Sequence, residues 1–94
     1  MFVRVSTYRP GSGGTGAPTE ETVERVLALQ GCRGLYYLLG EEGKSLSLTL
    51  WDDKGALDRS REATDAIRSE TTAQQHMDVL AVEEYEVLTR ALKP

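Results

Sequence analysis

The polar and apolar positions of this chain repeat with two different spacings along the sequence. Where they alternate every second residue, they predict β-strands. Apolar and polar side chains alternate over residues 2–9, 45–51 and 80–89, where β-branched and aromatic residues are frequent. Residues 33–40, rich in leucine and tyrosine, predict a further strand. A short polar turn with Gly43 separates strands 33–40 and 45–51, which indicates a hairpin.

Two other segments have helical spacing. Thr19 is a suitable N-cap, and we expect a first helix from about 19 to 30, which Gly31 ends. Asp52 or Asp53 caps a second helix that runs to about residue 70 or one turn further. The predicted buried positions of the second helix are mostly small: Ala56, Leu57, Ser60, Ala63, Thr64 and Ile67.

The resulting order, β-α-β-β-α-β, predicts one α+β domain over residues 1–94 with a ferredoxin-like fold. In this fold both helices cover one face of an antiparallel sheet. The helix-free face carries Arg4, Ser6, Ser47 and Thr49 or the opposite set. That face is either exposed to solvent, which antiparallel sheets tolerate, or covered by a second copy of the chain. Residues 71–79 are polar and give no clear prediction.

Composition removes several classes of function. The net charge of −4, with 15 acidic and 11 basic residues, disfavours nucleic acid as a partner. No apolar run approaches the roughly 18 residues of a membrane span, so we expect no membrane partner. Cys32 is the single cysteine and cannot form an internal disulfide. These features favour a cytoplasmic protein.

Residues 10–18 contain four glycines and two prolines, which predicts a loop. The spacing from Gly11 to Gly16 matches G-x-G-x-x-G. We discount a dinucleotide site because the helix begins only after the third glycine, and because a hairpin follows it. Whether this loop acts as a lid stays open.

The order of several short features resembles the dimeric α+β barrel superfamily, and within it the antibiotic-biosynthesis-monooxygenase-like domains. These features are Gly31-Cys32-Arg33-Gly34-Leu35, Leu50-Trp51-Asp52-Asp53 with Ala56-Leu57 after it, and Glu84-Tyr85-Glu86-Val87. The resemblance implies a homodimer, closed sheet against sheet into a barrel, and a small-ligand pocket between helices and sheet. Some members oxygenate phenols without metal or flavin, so no cofactor is expected. Heme-degrading members use a histidine in the second helix, and residues 53–70 contain none.

The ligand-binding candidates are aromatic and polar residues that could recognise a small aromatic acid: Trp51, Tyr36, Tyr37, Tyr85, Arg4, Ser60 and His76. Trp51 fits a core anchor at the corner between strand and helix better than a ligand contact. Arg4 either pairs with Glu84 or Glu86 across neighbouring strands or binds an anionic ligand. His76 fits an exposed loop better than a catalytic base. No catalytic residue is identified, and one histidine with scattered acids predicts no metal site.

Two functions follow as hypotheses. The first is a homodimer that binds a small aromatic molecule and acts as a cofactor-independent monooxygenase on a phenolic or polyketide-like substrate. The alternative is a non-catalytic dimeric module, a binding or stress-associated domain whose pocket is filled by its own side chains.

Overall fold

A computed structural model describes residues 1–11 and 14–94 of the chain. Within these residues there are four strands and three helices, with a short 3-10 turn at Glu41–Gly43. The elements are β1 (Phe2–Arg9), α1 (Glu20–Leu27), β2 (Cys32–Leu39), β3 (Ser45–Trp51), α2 (Lys54–Arg59), α3 (Arg61–Gln75) and β4 (Asp78–Glu86).

The four strands form one antiparallel sheet in the order β2-β3-β1-β4. This is the ferredoxin-like order, and it confirms the predicted fold class. The predicted neighbourhood of the first and last strands is also confirmed, since Arg4 lies directly opposite Glu84. Within the described residues, no helix is long and apolar enough to cross a membrane.

The helix caps have the expected chemistry. The side chain of Thr19 accepts a hydrogen bond from the backbone N–H of Thr22 at 3.2 Å. The Asp53 carboxylate accepts one from the N–H of Ala56 at 2.8 Å. Each bond satisfies a donor that the first turn of a helix leaves free.

The predicted second helix is interrupted at Ser60, which the sequence pattern did not indicate. There the carbonyl of Leu57 accepts from Arg4 Nη2 at 2.9 Å and from Ser60 Oγ at 2.7 Å. Side chains that insert into the ladder of backbone hydrogen bonds in this way kink a helix. The helical segment then continues to Gln75, about one turn past residue 70, and β4 spans Asp78–Glu86 rather than 80–89.

A sheet with helices on one face usually turns its apolar side chains towards the helices and its polar side chains towards solvent. In the central strands of this sheet the two sets are exchanged. The face that the helices cover carries mainly polar residues from the two central strands: Arg4, Ser6, Tyr8, Ser45, Ser47 and Thr49. The helix-free face carries the apolar set: Val3, Val5, Leu46, Leu48 and Leu50. Tyr36 and Leu38 extend this apolar face on β2, and both are exposed. Of the two sets left open by the sequence, the structure therefore places the apolar one away from the helices.

The core is correspondingly small and lies at one end of the helix–sheet interface. Trp51 is fully buried against Ala56 and Leu57, with Phe2 and Leu29 packed at the edge. Towards the other end of the sheet, a cavity interrupts the core, and both polar and apolar side chains line it. The fold thus leaves a space between helices and sheet.

Candidate functional site: a cavity between helices and sheet

The cavity has a volume of about 70 Å³ and lies between the sheet and helices α1 and α3. Its floor is formed by side chains of the sheet, including Ser6, Tyr8 and Tyr37. Its walls come from the two helices, and Gly16, Pro18 and Met77 close one end. The remaining lining residues are Arg4, Thr22, Val26, Leu35, Ser47, Thr49, Thr64, Ile67, Arg68 and Thr71.

Arg4 crosses the floor of this site and is almost completely buried, with 2% of its surface exposed. Its Nε and Nη2 both donate to Glu84 Oε2, at 3.1 and 2.9 Å. Its other N–H groups donate to the Leu57 carbonyl and to the hydroxyls of Ser60 and Thr64. All five N–H donors of the guanidinium are therefore used within the protein. The cross-strand ion pair with Glu84 is the role the structure shows for Arg4.

Glu84 joins Arg4 to a surface network. Its second oxygen accepts from Arg61 at 2.8 Å, and Arg61 also pairs with Asp58 at 3.2 Å. Partial burial by itself would raise the pKa of Glu84, but the hydrogen bonds and charges of Arg4 and Arg61 outweigh it. The pKa of Glu84 is consequently lowered, and the carboxylate stays ionised opposite the two arginines.

Arg68 lines the cavity from α3, and only two of its N–H donors bind described residues. Its Nε donates to Ser6 Oγ at 3.2 Å, and its Nη1 donates to Asp65 at 2.8 Å. Its side chain is 12% exposed, whereas that of Asp65 is 57% exposed. Sequence reasoning missed Arg68, because it follows Ile67 at the margin of the buried helical stripe. Only the register of the sheet shows that a polar Ser6 faces it.

The two tyrosine hydroxyls in the cavity are held by the protein. Tyr8 and Ser47 share a hydrogen bond of 2.8 Å between their hydroxyls. Tyr37 donates to the carbonyl of Thr15 at 2.9 Å and thereby ties the segment before α1 to the sheet. Gly16 is required there, because a Cβ atom would meet both Met77 and the Tyr37 hydroxyl. These contacts fix the shape of the closed end.

The candidate residues from the sequence do not all converge on this cavity. Arg4, Tyr37 and Ser60 lie on the side of the sheet that faces the helices. Trp51 lies beneath Arg4, which is 5.7 Å from its ring, but Trp51 is sealed in the core. Its indole N–H donates to Thr49 Oγ1 at 2.9 Å, which satisfies this buried donor.

The other candidates are further away. Tyr36 and Tyr85 lie on the helix-free face and are 56% and 50% exposed. His76 ends α3 in the left-handed conformation, with φ of 56°, and is exposed. Gly11 and Gly16 of the glycine-rich loop are described, whereas Ser12 and Gly13 between them lie outside the described residues.

Among the described residues, no three His, Cys, Asp or Glu side chains are grouped as metal ligands would be. Cys32 is half-buried, and this burial raises the pKa of its thiol. A thiol in such surroundings is less reactive than an exposed one, because the thiolate is the nucleophile.

No protein-family model and no curated protein matches this chain. A solved structure does match over its whole length: the crystal structure of a "putative antibiotic biosynthesis monooxygenase" from Deinococcus radiodurans. The two chains are 18% identical with a TM-score of 0.65, and the match covers 100% of this chain and 98% of the other. The chain therefore has the fold of antibiotic-biosynthesis-monooxygenase-like domains, which confirms the resemblance found in the sequence at the level of fold.

Proposed function

We propose that this chain forms a homodimer through its helix-free sheet face and binds a small phenolic molecule in the helix–sheet cavity. The observation that supports this most is the inverted alternation of the sheet. Serine, threonine and arginine side chains face the helices, and valine and leucine side chains face outwards. A protein that needed only a stable monomer would place these two sets the other way round.

The apolar outward face supports the dimer. It runs across three strands, through Val3 and Val5 on β1, Leu48 and Leu50 on β3, and Leu38 on β2. Contiguous apolar surfaces of this kind mark interaction sites, and two-fold pairing of identical surfaces is the commonest way to cover one. The fold shared with the Deinococcus radiodurans protein, whose name refers to a monooxygenase, favours the same proposal.

The proposed reaction is the oxygenation of a phenol to a quinone by molecular oxygen. The phenolate ring carbon opposite the oxygen gives its electron pair to O2, and a carbon–oxygen bond forms. Loss of the hydrogen from that carbon and cleavage of the O–O bond release water, so phenol and O2 become quinone and water. All electrons come from the substrate, and the protein contributes orientation and exclusion of water.

The size of the cavity defines what binding requires. A dry cavity of about 150 Å³ in a protein interior holds benzene. The cavity here has about 70 Å³. A one-ring ligand therefore fits only if α1 and α3 move apart or if part of the ligand projects from the opening. This small volume is also the observation that favours the second candidate function, a non-catalytic dimeric module.

Oxygen consumption tests the enzymatic proposal with two matched variants on α1. Val26 is buried and lines the cavity, whereas Leu27 is exposed and does not. We expect the wild-type protein to accelerate oxygen uptake by one- to three-ring phenols. Val26→Phe fills the cavity and should remove this activity, and Leu27→Phe should retain it.

Both variants need circular dichroism and thermal melting to show that they fold. If no phenol is turned over by the wild-type protein, or if Val26→Phe is as active as Leu27→Phe, the enzymatic proposal is wrong. The second candidate then stands, and the dimer surface becomes the place to look for function.

A further inference from the structure

The charges that line the cavity are of one sign. Arg4 and Arg68 are its charged lining residues, and none of its lining residues is an aspartate or glutamate. The whole chain has a net charge of −4, so a cationic lining does not follow from average composition. A small space with fixed positive charge attracts an anion.

The two arginines differ in how many of their N–H donors have no partner in the protein. Arg4 uses all five of its N–H donors on Glu84, Leu57, Ser60 and Thr64. Arg68 has two hydrogen bonds to described residues, one to Ser6 and one to Asp65. Arginine carries five donors in a flat fork that suits two oxygens of one acid. Arg68 is therefore the cation with free capacity in this site.

The surroundings of Arg68 strengthen its attraction for an anion. Its side chain is 12% exposed, and its charged partner Asp65 lies largely in solvent. Among the described residues, Ser45 Oγ is the sole buried side-chain N or O atom without a partner. Arg68 Nη2 donates to no described residue and is not in that buried state, so it is accessible to a ligand or to water. A charge that is mostly desolvated and weakly compensated gains more from an added anion than a surface charge does.

We propose that Arg68 binds the ionised oxygen of the ligand, so that the substrate class is an aromatic oxyanion, a phenolate or an aromatic carboxylate. This inference rests on the proposed function for the location of the site. It adds that the ligand is selected by charge and that a phenol is bound as its anion, the form that reacts with O2. Arg68 would touch the substrate oxygen directly, whereas Arg4 positions the helix corner from below.

Binding of benzoate and benzamide tests this, because the two probes have nearly the same size and differ in charge. Isothermal titration or ligand-observed NMR on the full chain should show benzoate binding and much weaker binding of benzamide. In Arg68→Gln we expect benzoate affinity to fall about 10- to 100-fold, the usual contribution of hydrogen bonds to a charged group. Arg68→Lys should recover part of it, and the affinity for benzamide should not change.

Arg25→Gln is the matched control, because Arg25 is exposed on α1, pairs with Glu70 and does not line the cavity. It should bind benzoate as the wild type does. The proposal is overturned if benzamide binds as tightly as benzoate, if neither binds, or if Arg68→Gln and Arg25→Gln behave alike. If Arg68 holds benzoate but no phenol consumes oxygen, the oxyanion site stands and the monooxygenase proposal fails.

Discussion

Two arginines that face the same cavity perform different tasks. Arg4 fixes the corner between the sheet and α2, because its five hydrogen bonds join β4 to the end of that helix. Arg68 has spare donors and an exposed partner. Burial alone does not distinguish the roles of the two arginines, since both side chains are largely buried. The number of hydrogen-bond partners distinguishes them.

Glu84 makes stability depend on pH in a predictable direction. Its pKa in the folded protein is held below its ordinary value of 4.5 by Arg4 and Arg61, which outweigh the effect of burial. The stabilisation is therefore complete above 4.5 and is lost as the pH falls from there through the lowered value. We expect the wild-type protein to lose stability in acid over this range, as urea unfolding at successive pH values will measure.

Glu84→Gln should be less stable than the wild type at neutral pH and should approach it in acid. Glu86→Gln, an exposed substitution on the same strand, is the control and should follow the wild-type curve. A constant difference between Glu84→Gln and the wild type at every pH would contradict the assignment.

Among the helices and strands, local sequence determined the strands better than the helices. The bounds of β1 and β3 were predicted to the residue, because strict alternation and turn residues define them. The interruption at Ser60 was missed, since it depends on Arg4 reaching the Leu57 carbonyl from a distant strand. The same reason hid Arg68 as a site residue: a contact between Ser6 and Arg68 exists only once the sheet is assembled.

Gly31 shows how closely α2 approaches the segment that precedes β2. Gly31 has φ of +83°, and a Cβ atom there would overlap Cβ of Ala56. Gly14 also has a positive φ, of +67°, but a Cβ atom there meets nothing within 4 Å. Gly31→Ala should therefore lose about 1–3 kcal/mol more of the free energy of unfolding than Gly14→Ala, from overpacking. Urea denaturation of the two variants measures the difference, and equal losses would show that backbone conformation alone matters.

For the whole molecule, the apolar sheet face predicts the oligomeric state. Leu48 lies on the central strand β3 and points away from the helices. We expect the wild-type chain to sediment as a dimer and Leu48→Glu to sediment as a folded monomer, because the charge would be buried at the interface. Ala66→Glu places the same charge at an exposed position on α3 and should remain dimeric. A wild-type monomer at high concentration would refute this.

The inverted sheet has a further consequence for how the chain tolerates change. Along β1, successive residues belong to two separate surfaces, the cavity at Arg4, Ser6 and Tyr8 and the outer face at Val3 and Val5. Substitutions at neighbouring positions should therefore affect ligand recognition and self-association as two independent traits that alternate along the strand. Deletion of one residue in β1 would exchange the two sets, so that valines fill the cavity and arginine and serine cover the outside. Both traits would then be lost together, although only one residue of the chain had been removed.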